Sequence, residues 1–289
     1  MITAITRSGR TGRVATVSQA NKVVLSGVSE TALLTLNSRA TEARRPDRII
    51  DDPMAISLAD SIDFDFAKFG PTRQDIAIRA LAFDGQTVQF LNRHPSGTVV
   101  ALAEGLQTSF WRVSAHVPDP TFHWLTVDLP PIIDVRARLL PTAPQISVCA
   151  QSALDYSWMD QVNPDDGVFI SAEGLLMYLQ PEQSLELIGE CARRFPGGRM
   201  MFDVPPPVVS IVTRRGVRTS RRYKAPPMPF HLSVSAAADL VNTVPGIRAV
   251  RDLPLPPGRG WLFNTVLSNM HRLRVLDAVR PALTLLEFG

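Results

Sequence analysis

Cysteine is scarce in this sequence, and long hydrophobic runs are missing. Two cysteines among 289 residues are too few for a disulfide framework or a cysteine-rich metal cluster, and we expect no metal site. No apolar stretch approaches the roughly 20 residues that a membrane-spanning helix needs. The polar, basic first residues do not have the apolar stretch of a signal peptide. We therefore expect a cytoplasmic protein with no membrane partner.

A large excess of charge of one sign is also absent. The formal net charge is +3, and charged residues make up 20% of the chain, so the overall charge does not indicate nucleic acid as a partner. One local run, TRRGVRTSRRYK at residues 213–224, is far more basic than the average. It either attracts an anionic small molecule or forms a solvated loop, and the sequence leaves both interpretations open.

The distribution of apolar residues predicts one domain with a helical beginning. Residues 1–24 are predicted to be a flexible arm, and residues 25–289 the domain. Within residues 25–95 the predicted helices cover 29–45, with Ser29 as N-cap, a segment that starts at Pro53, and most of 72–94.

Strands and helices alternate from residue 96 onward. The predicted strands lie in VVAL (99–102), FHWLTVDLP, PQISVCAQSALD, DGVFISAEG, GGRMMFDVP, IRAVRDLPL and WLFNTVLSNM, and a helix is predicted at 181–195. Strands separated by helices are typical of a doubly wound, mostly parallel sheet, so we predict an α/β fold. The proline-rich, basic segment at about 205–230 interrupts the alternation. It is predicted to be a lid over one end of the sheet.

Ligands of such a sheet bind at the carboxyl ends of its strands. The first strand ends in Ala103-Glu104-Gly105, and the second ends at Asp128. An acid in this position typically accepts hydrogen bonds from the two hydroxyl groups of a ribose. Asp128 could instead be the N-cap of the next helix. The pair therefore indicates a nucleotide only weakly.

The turn after the first strand narrows the choice of ligand. It lacks the G-x-G-x-x-G pattern, and Glu104 would repel a pyrophosphate. S-Adenosylmethionine (SAM) has an adenosine without phosphate and carries a positive sulfonium. On electrostatic sign alone, SAM suits this turn better than a dinucleotide.

Several motifs, in order along the chain, carry a family resemblance. SETALLTLNSRATEARRPDRIIDDPMA, VVALAEGLQTSFWR and WLTVDLP resemble the leucine carboxyl methyltransferase family of SAM-dependent enzymes. SALDYSWMD, AEGLLMYL and the closing LLEFG are similar to its tetracenomycin-type polyketide O-methyltransferase branch. The resemblance implies a Rossmann-like class I methyltransferase fold, SAM as cofactor, and a small, aromatic or polyketide-like acceptor with a carboxylate or hydroxyl oxygen.

The resemblance also implies roles for single residues. Arg79 would bind the carboxylate of the methionine moiety, with a surface arginine paired with Asp75 as the alternative. The other implied cofactor residues are Ala103, Glu104, Gly105, Asp128, Leu129, Ser152, Ala153, Leu154 and Glu173. Tyr178 would line the methyl-transfer site or pack in the core. His231 is the candidate base for a phenolic acceptor, and otherwise a bystander.

Three positions depart from the family pattern: Ala103 stands where glycine is usual, Gln107 where an acid is common, and Ala153 where aspartate is usual. Each departure could weaken SAM binding. On this basis Ala103→Gly should tighten SAM binding and slightly destabilise the empty protein.

Two alternative functions therefore stay open. One is a protein of this fold that has lost catalysis, and the other is a protein carboxyl methyltransferase. A closed apolar pocket would favour the small-molecule enzyme, a blocked crevice the loss of catalysis, and an open groove the protein substrate. The sequence does not indicate an oligomeric state.

Overall fold

The computed structural model describes residues 21–118, 120–266, 269–270, 277 and 280–289. The strands are β1 (Asn21–Lys22), β2 (Ile62–Asp63), β3 (Thr98–Leu102), β4 (His123–Asp128), β5 (Ile146–Ala150), β6 (Val168–Ala172), β7 (Arg199–Val204), β8 (Ile247–Asp252) and β9 (Ala282–Phe288). The α-helices are α1 (Thr31–Ala43), α2 (Pro53–Ser61), α3 (Gln74–Leu91), α4 (Ser109–Ser114), α5 (Pro130–Leu139), α6 (Pro181–Arg194), α7 (Pro207–Arg214), α8 (Val234–Ala238) and α9 (Leu240–Thr243).

The seven longer strands form one sheet in the order β5-β4-β3-β6-β7-β9-β8. The first five in this order are mutually parallel, and β9 runs antiparallel to both of its neighbours. In β3, Val100 and Leu102 belong to one hydrophobic cluster, while Val99 and Ala101 belong to another. Because alternate side chains of a strand point to opposite faces, the sheet is covered on both sides. The predicted doubly wound α/β fold is confirmed.

One predicted strand is wrong. In WLFNTVLSNM, residues Leu262–Val266 form a π-helical turn rather than a strand. The strand that completes the sheet is β9, which sequence analysis did not assign. Its seven residues are all buried, and its two polar residues, Thr284 and Glu287, are three positions apart, so the strand has no regular polar-apolar alternation to mark it. Short apolar runs of this kind do not distinguish strand from helix.

The N-terminal boundary also differs from the prediction. β1 pairs with β2, and Val23 is buried, so residues 21–24 belong to the folded domain and not to the arm. The rest of the predicted arm, residues 1–20, lies outside the described residues. Ser29 is not the N-cap of α1, because it lies inside a 3₁₀ turn, Gly27–Glu30, that precedes the helix.

The segment at 205–230 contains α7 followed by an irregular basic loop. Thr219 Oγ1 donates to Phe69 O (3.1 Å), and Ser220 Oγ donates to Lys68 O. These bonds attach the loop to a 3₁₀ turn, Phe66–Phe69, in the helical N-terminal part. Within the described residues, no helix is both long and apolar enough to cross a membrane.

Candidate active site

A cavity of about 990 Å³ lies at the carboxyl ends of the parallel strands. It brings together every residue that the family resemblance assigns to the cofactor: Arg79, Ala103, Glu104, Gly105, Asp128, Leu129, Ser152, Ala153, Leu154 and Glu173. These residues come from α3, from the last position of β4, and from the segments that follow β3, β4, β5 and β6. Parallel strands explain the convergence, since their carboxyl ends share one edge of the sheet.

The turn after β3 has an unusual backbone. Ala103 has a φ of 49°, the only positive φ of a non-glycine residue in the described ranges. Gly105 also has a positive φ, of 60°. A Cβ atom on Gly105 would lie 3.2 Å from the Cβ of Ala32 in α1. Glycine therefore allows the turn both to adopt this conformation and to approach α1 closely.

Asp128 is anchored by the same turn. Its Oδ2 accepts a hydrogen bond from Gly105 N (2.6 Å), and its Oδ1 accepts one from Leu129 N (2.7 Å). Leu129, and not Asp128, is the N-cap of α5. Burial raises the pKa of Asp128 to about 6. Each oxygen keeps a further lone pair, so an oriented carboxylate can still accept two hydroxyl hydrogen bonds at the cavity wall.

Glu104 does not present a free charge to the cavity. Its Oε2 accepts a hydrogen bond from Thr126 Oγ1 (2.6 Å) and lies 3.0 Å from Arg136 Nη2. The side chain is 3% exposed. Since Arg136 compensates this charge, the preference for SAM that sequence analysis drew from the sign of Glu104 has little basis.

Arg79 lies between two carboxylates. Its Nε donates to Glu173 Oε1 (2.9 Å), and its Nη1 donates to Asp203 Oδ2 (3.0 Å). Asp75, the alternative partner, pairs instead with Arg73. Within the described part of the chain, Nη2 of Arg79 makes no hydrogen bond, and it remains available to an anionic group.

Asp203 is a site residue that sequence analysis missed. It lies in β7 next to the last residue of the strand, its Oδ1 accepts a hydrogen bond from Gly174 N (2.6 Å), and it lines the cavity. The strand-end rule that identified Asp128 in WLTVDLP could have identified Asp203 in GGRMMFDVP.

Gln107 has a structural reason to be an amide. Its Nε2 donates to Glu173 Oε2 (2.8 Å), and its Oε1 accepts a hydrogen bond from Arg112 Nη2 (3.4 Å). A carboxylate at this position would repel Glu173, whose pKa is already raised by burial. The departure from the family pattern is therefore compensated locally.

The residues after β5 form one wall of the cavity. Ser152 Oγ accepts a hydrogen bond from Leu154 N (3.2 Å), and Ala153 O accepts one from Trp158 Nε1 (3.1 Å). These contacts fix the backbone of the segment. They place Ala153 and Leu154, which are largely apolar, where a flat ring could stack.

The two candidate catalytic residues have different positions. Tyr178 lines the cavity, and burial raises its pKa, so its phenol stays protonated near neutral pH. His231 does not line the cavity, and its Nδ1 lies 3.4 Å from Pro229 O. No histidine in the described ranges lines the cavity. The geometry therefore does not support His231 as a base, because a base must reach the proton that it removes.

Ala103→Gly should strengthen SAM binding by about 1 kcal/mol, because the methyl group narrows the turn. The effect expected on the empty protein changes once φ is known. A left-handed conformation costs alanine roughly 1–2 kcal/mol, which offsets the roughly 0.4–1 kcal/mol by which glycine favours the unfolded chain. Calorimetry and thermal unfolding should show tighter binding with equal or higher stability.

Ala153→Gly is the matched control, since Ala153 lines the same cavity without a positive φ. It should lower the stability. If Ala103→Gly also destabilises the protein and leaves binding unchanged, the turn is adapted to alanine.

The cavity fits the cofactor that the resemblance implies. Asp128 offers two oriented oxygens for a ribose, Arg79 lines the cavity with its ion-pair partner Glu173, and the segment after β5 supplies an apolar wall. In the described ranges, no group of three or more His, Cys, Asp or Glu side chains is arranged to hold a metal ion.

Comparison with known proteins gives one family. The model of the leucine carboxyl methyltransferase family matches residues 32–192. The tetracenomycin polyketide synthesis O-methyltransferase TcmP of Streptomyces glaucescens is 33% identical over 227 residues, which are 78% of this chain and 82% of that protein. The SAM-dependent methyltransferase dpfgK of Gibberella zeae is 26% identical over 205 residues, 64% of this chain and 68% of that protein.

A solved structure of a Thermobifida fusca protein shares the fold. The TM-score is 0.53 at 14% identity, and the match covers 95% of this chain and 97% of that one. The family match spans more than half of the sequence and includes the ends of β3, β4, β5 and β6 that line the cavity. The chain therefore belongs to the leucine carboxyl methyltransferase family and is a SAM-dependent methyltransferase.

Proposed function

We propose that this enzyme methylates a carboxylate oxygen of a bulky, largely apolar acceptor of an aromatic or polyketide-like kind. The observation that carries the proposal is that, among the described residues of the cavity wall, the one carboxylate without an ion-pair partner is Asp128, which we assign to the ribose of SAM. No described histidine lines the cavity, and the guanidinium of Arg79 forms ion pairs with both Glu173 and Asp203. A carboxylate is already ionised at neutral pH and needs no base, whereas a phenol does.

The size and lining of the cavity support a small-molecule acceptor. Its volume of about 990 Å³ is at the upper end of the range of about 300–1,000 Å³ for pockets that hold drug-sized ligands. This leaves space for a second molecule beside the cofactor. The lining away from the strand ends is mostly apolar and includes Met177, Met228 and Leu255. A protein that had lost catalysis would be expected to have a blocked crevice, and this crevice is open. TcmP, named as a polyketide O-methyltransferase, agrees with this choice of acceptor.

We assign the residues that hold SAM as follows. Asp128 accepts the ribose hydroxyls, Leu129 and Ser152–Leu154 flank the adenine, and Arg79 with Glu173 binds the amino-acid end. SAM supplies an electrophilic methyl group when bound. The chain contributes by excluding water and by holding the acceptor oxygen in line. Tyr178, which keeps its proton, can donate a hydrogen bond that orients the acceptor.

The chemical nature of the product tests this proposal. With labelled SAM and a panel of aromatic carboxylic acids and phenols, the labelled product should release methanol on mild alkaline treatment, as an ester does and an ether does not. For a carboxylic acid acceptor, kcat/KM should be nearly constant from about pH 6.5 to 8.5, because no group must lose a proton in that range.

Two variants serve as controls for the absence of a base. Tyr178→Phe and His231→Ala should each change kcat by less than about tenfold, whereas loss of a true general base costs about 10²–10⁴-fold. An alkali-stable product, or a loss above a hundredfold in His231→Ala, would contradict carboxylate methylation.

A further inference from the structure

Helix α7 has an inverted distribution of side chains. Its polar residues Ser210 and Thr213 are buried, while Val208, Ile211 and Val212 are 51, 51 and 45% exposed. Surface helices normally direct apolar residues inward. An outward apolar face beside an enzyme cavity is therefore a candidate for contact with another surface.

A positively charged residue, Arg215, extends the apolar face of α7. Val208, Ile211, Val212 and Arg215 follow the spacing i, i+3, i+4, i+7, and Arg215 keeps helical backbone angles as the C-cap. They therefore share one side of the helix. Within the described part of the chain, the cations that form no ion pair include Arg214, Arg215, Arg218, Arg221 and Lys224.

The charge of this segment differs in sign from that of the rest of the chain. Residues 205–230 contain six arginines and lysines and no aspartate or glutamate. Since the whole chain has a net charge of +3, the other residues together carry a net charge of −3. Among the described residues, the one ion pair of the segment joins Arg222 to Asp65. The positive charge is therefore concentrated around the apolar face.

We propose that α7 and the basic loop at 214–224 form a docking surface for an anionic lipid bilayer. The exposed aliphatic side chains of α7 enter the interface, and the arginines contact lipid phosphates. Val209, in the same helix, lines the cavity. Docking would place the cavity next to a phase in which apolar molecules accumulate. This inference departs from the sequence-based expectation of no membrane partner and does not depend on the identity of the acceptor.

Other occupants agree less well with the observations. A second copy of the chain, related by a two-fold axis, would bring two groups of cations together. An acidic protein would satisfy the charges, and arginine is a common anchor of protein interfaces, but valine, which makes up most of the exposed apolar face, is under-represented among such anchors. The exposed apolar residues of α7 are valine and isoleucine, without an aromatic ring.

Vesicle flotation with the full chain tests the proposal. The protein should bind vesicles of phosphatidylcholine mixed with phosphatidylglycerol, should not bind phosphatidylcholine alone, and should be released by high salt. Arg215→Gln/Arg218→Gln and Ile211→Gln/Val212→Gln should each weaken binding about 30-fold. The matched control is Arg93→Gln/Arg138→Gln, which removes the same charge from exposed positions outside the segment and should bind like wild type.

Several results would overturn the proposal. These are absence of binding at low salt, and full binding of vesicles by Ile211→Gln/Val212→Gln. Equally tight binding of soluble polyglutamate by the wild-type protein and by Ile211→Gln/Val212→Gln would indicate an acidic protein partner. A dimer that dissociates on these substitutions would assign the face to self-association. If Ile211→Gln/Val212→Gln unfolds, Val208→Gln replaces it in the same assay.

Discussion

Arg79→Ala is expected to lower the free energy of unfolding of the empty protein by about 2–4 kcal/mol. Removing one member of a fully buried ion pair costs about 3–5 kcal/mol, and Arg79 retains 21% exposure, which reduces the effect. The variant leaves Glu173 and Asp203 side by side, with exposures of 8 and 11%, and without their cation. Urea unfolding at neutral pH measures the loss. SAM binding should weaken as well.

The loss should depend on pH in a specific direction. Burial raises the pKa of Glu173 even with Arg79 present, and removing the guanidinium removes the charge that opposes this rise. A carboxyl group with a raised pKa in the folded state destabilises the protein as the pH rises through that pKa. The difference between Arg79→Ala and wild type should therefore be larger at pH 8 than at pH 5.

Arg73→Ala is the control for this experiment. Arg73 pairs with Asp75, but its side chain is 65% exposed, so its removal should cost less than about 1 kcal/mol at either pH. If the loss in Arg79→Ala is equal at pH 5 and pH 8, the two carboxylates are not the source of the destabilisation.

The sequence was sufficient to predict the site residues that lie at the ends of single strands. Gly105, Asp128 and Glu173 follow apolar strands, and parallel strands bring their ends together, so local patterns placed these residues correctly on one cavity. The same reasoning gave β3 to β7 in order, and it did not assign α4 or α5. It failed at β9, where all seven residues are buried and the two polar ones, Thr284 and Glu287, do not alternate regularly with the apolar ones.

The contacts between distant side chains could not be predicted. Arg79 and Asp203 are 124 positions apart, and no spacing rule links them. Likewise, nothing near Glu104 in the sequence shows that Arg136, on α5, compensates its charge. His231 was selected because it follows the basic run, yet it does not line the cavity, although Ala225, Pro226 and Met228 between them do. Such pairings depend on tertiary packing, which a local pattern does not contain.

Asp128→Ala is expected to raise the Kd for SAM about 10- to 150-fold, because a hydrogen bond to a charged group contributes about 1.5–3 kcal/mol. The empty protein should stay folded. The substitution removes the acceptor of Gly105 N and Leu129 N, but it also removes a carboxylate whose pKa burial raises to about 6. These two effects on stability oppose each other. Calorimetry with SAM and a melting curve without SAM separate binding from folding.

The pH dependence identifies the carboxylate as the cause. The folded pKa of Asp128 lies above the ordinary value of 3.8, so its ionisation reduces the stability of the empty protein as the pH rises from about 4 to 6. The ionised form is the better acceptor for ribose hydroxyls, and wild-type affinity should therefore fall as the pH drops below about 6. Asp128→Asn keeps a similar shape without this titration and should show a weaker, pH-independent affinity over the same range. A wild-type Kd that does not change between pH 7 and pH 5, together with an unchanged Kd in Asp128→Ala, would show that Asp128 only anchors the turn after β3.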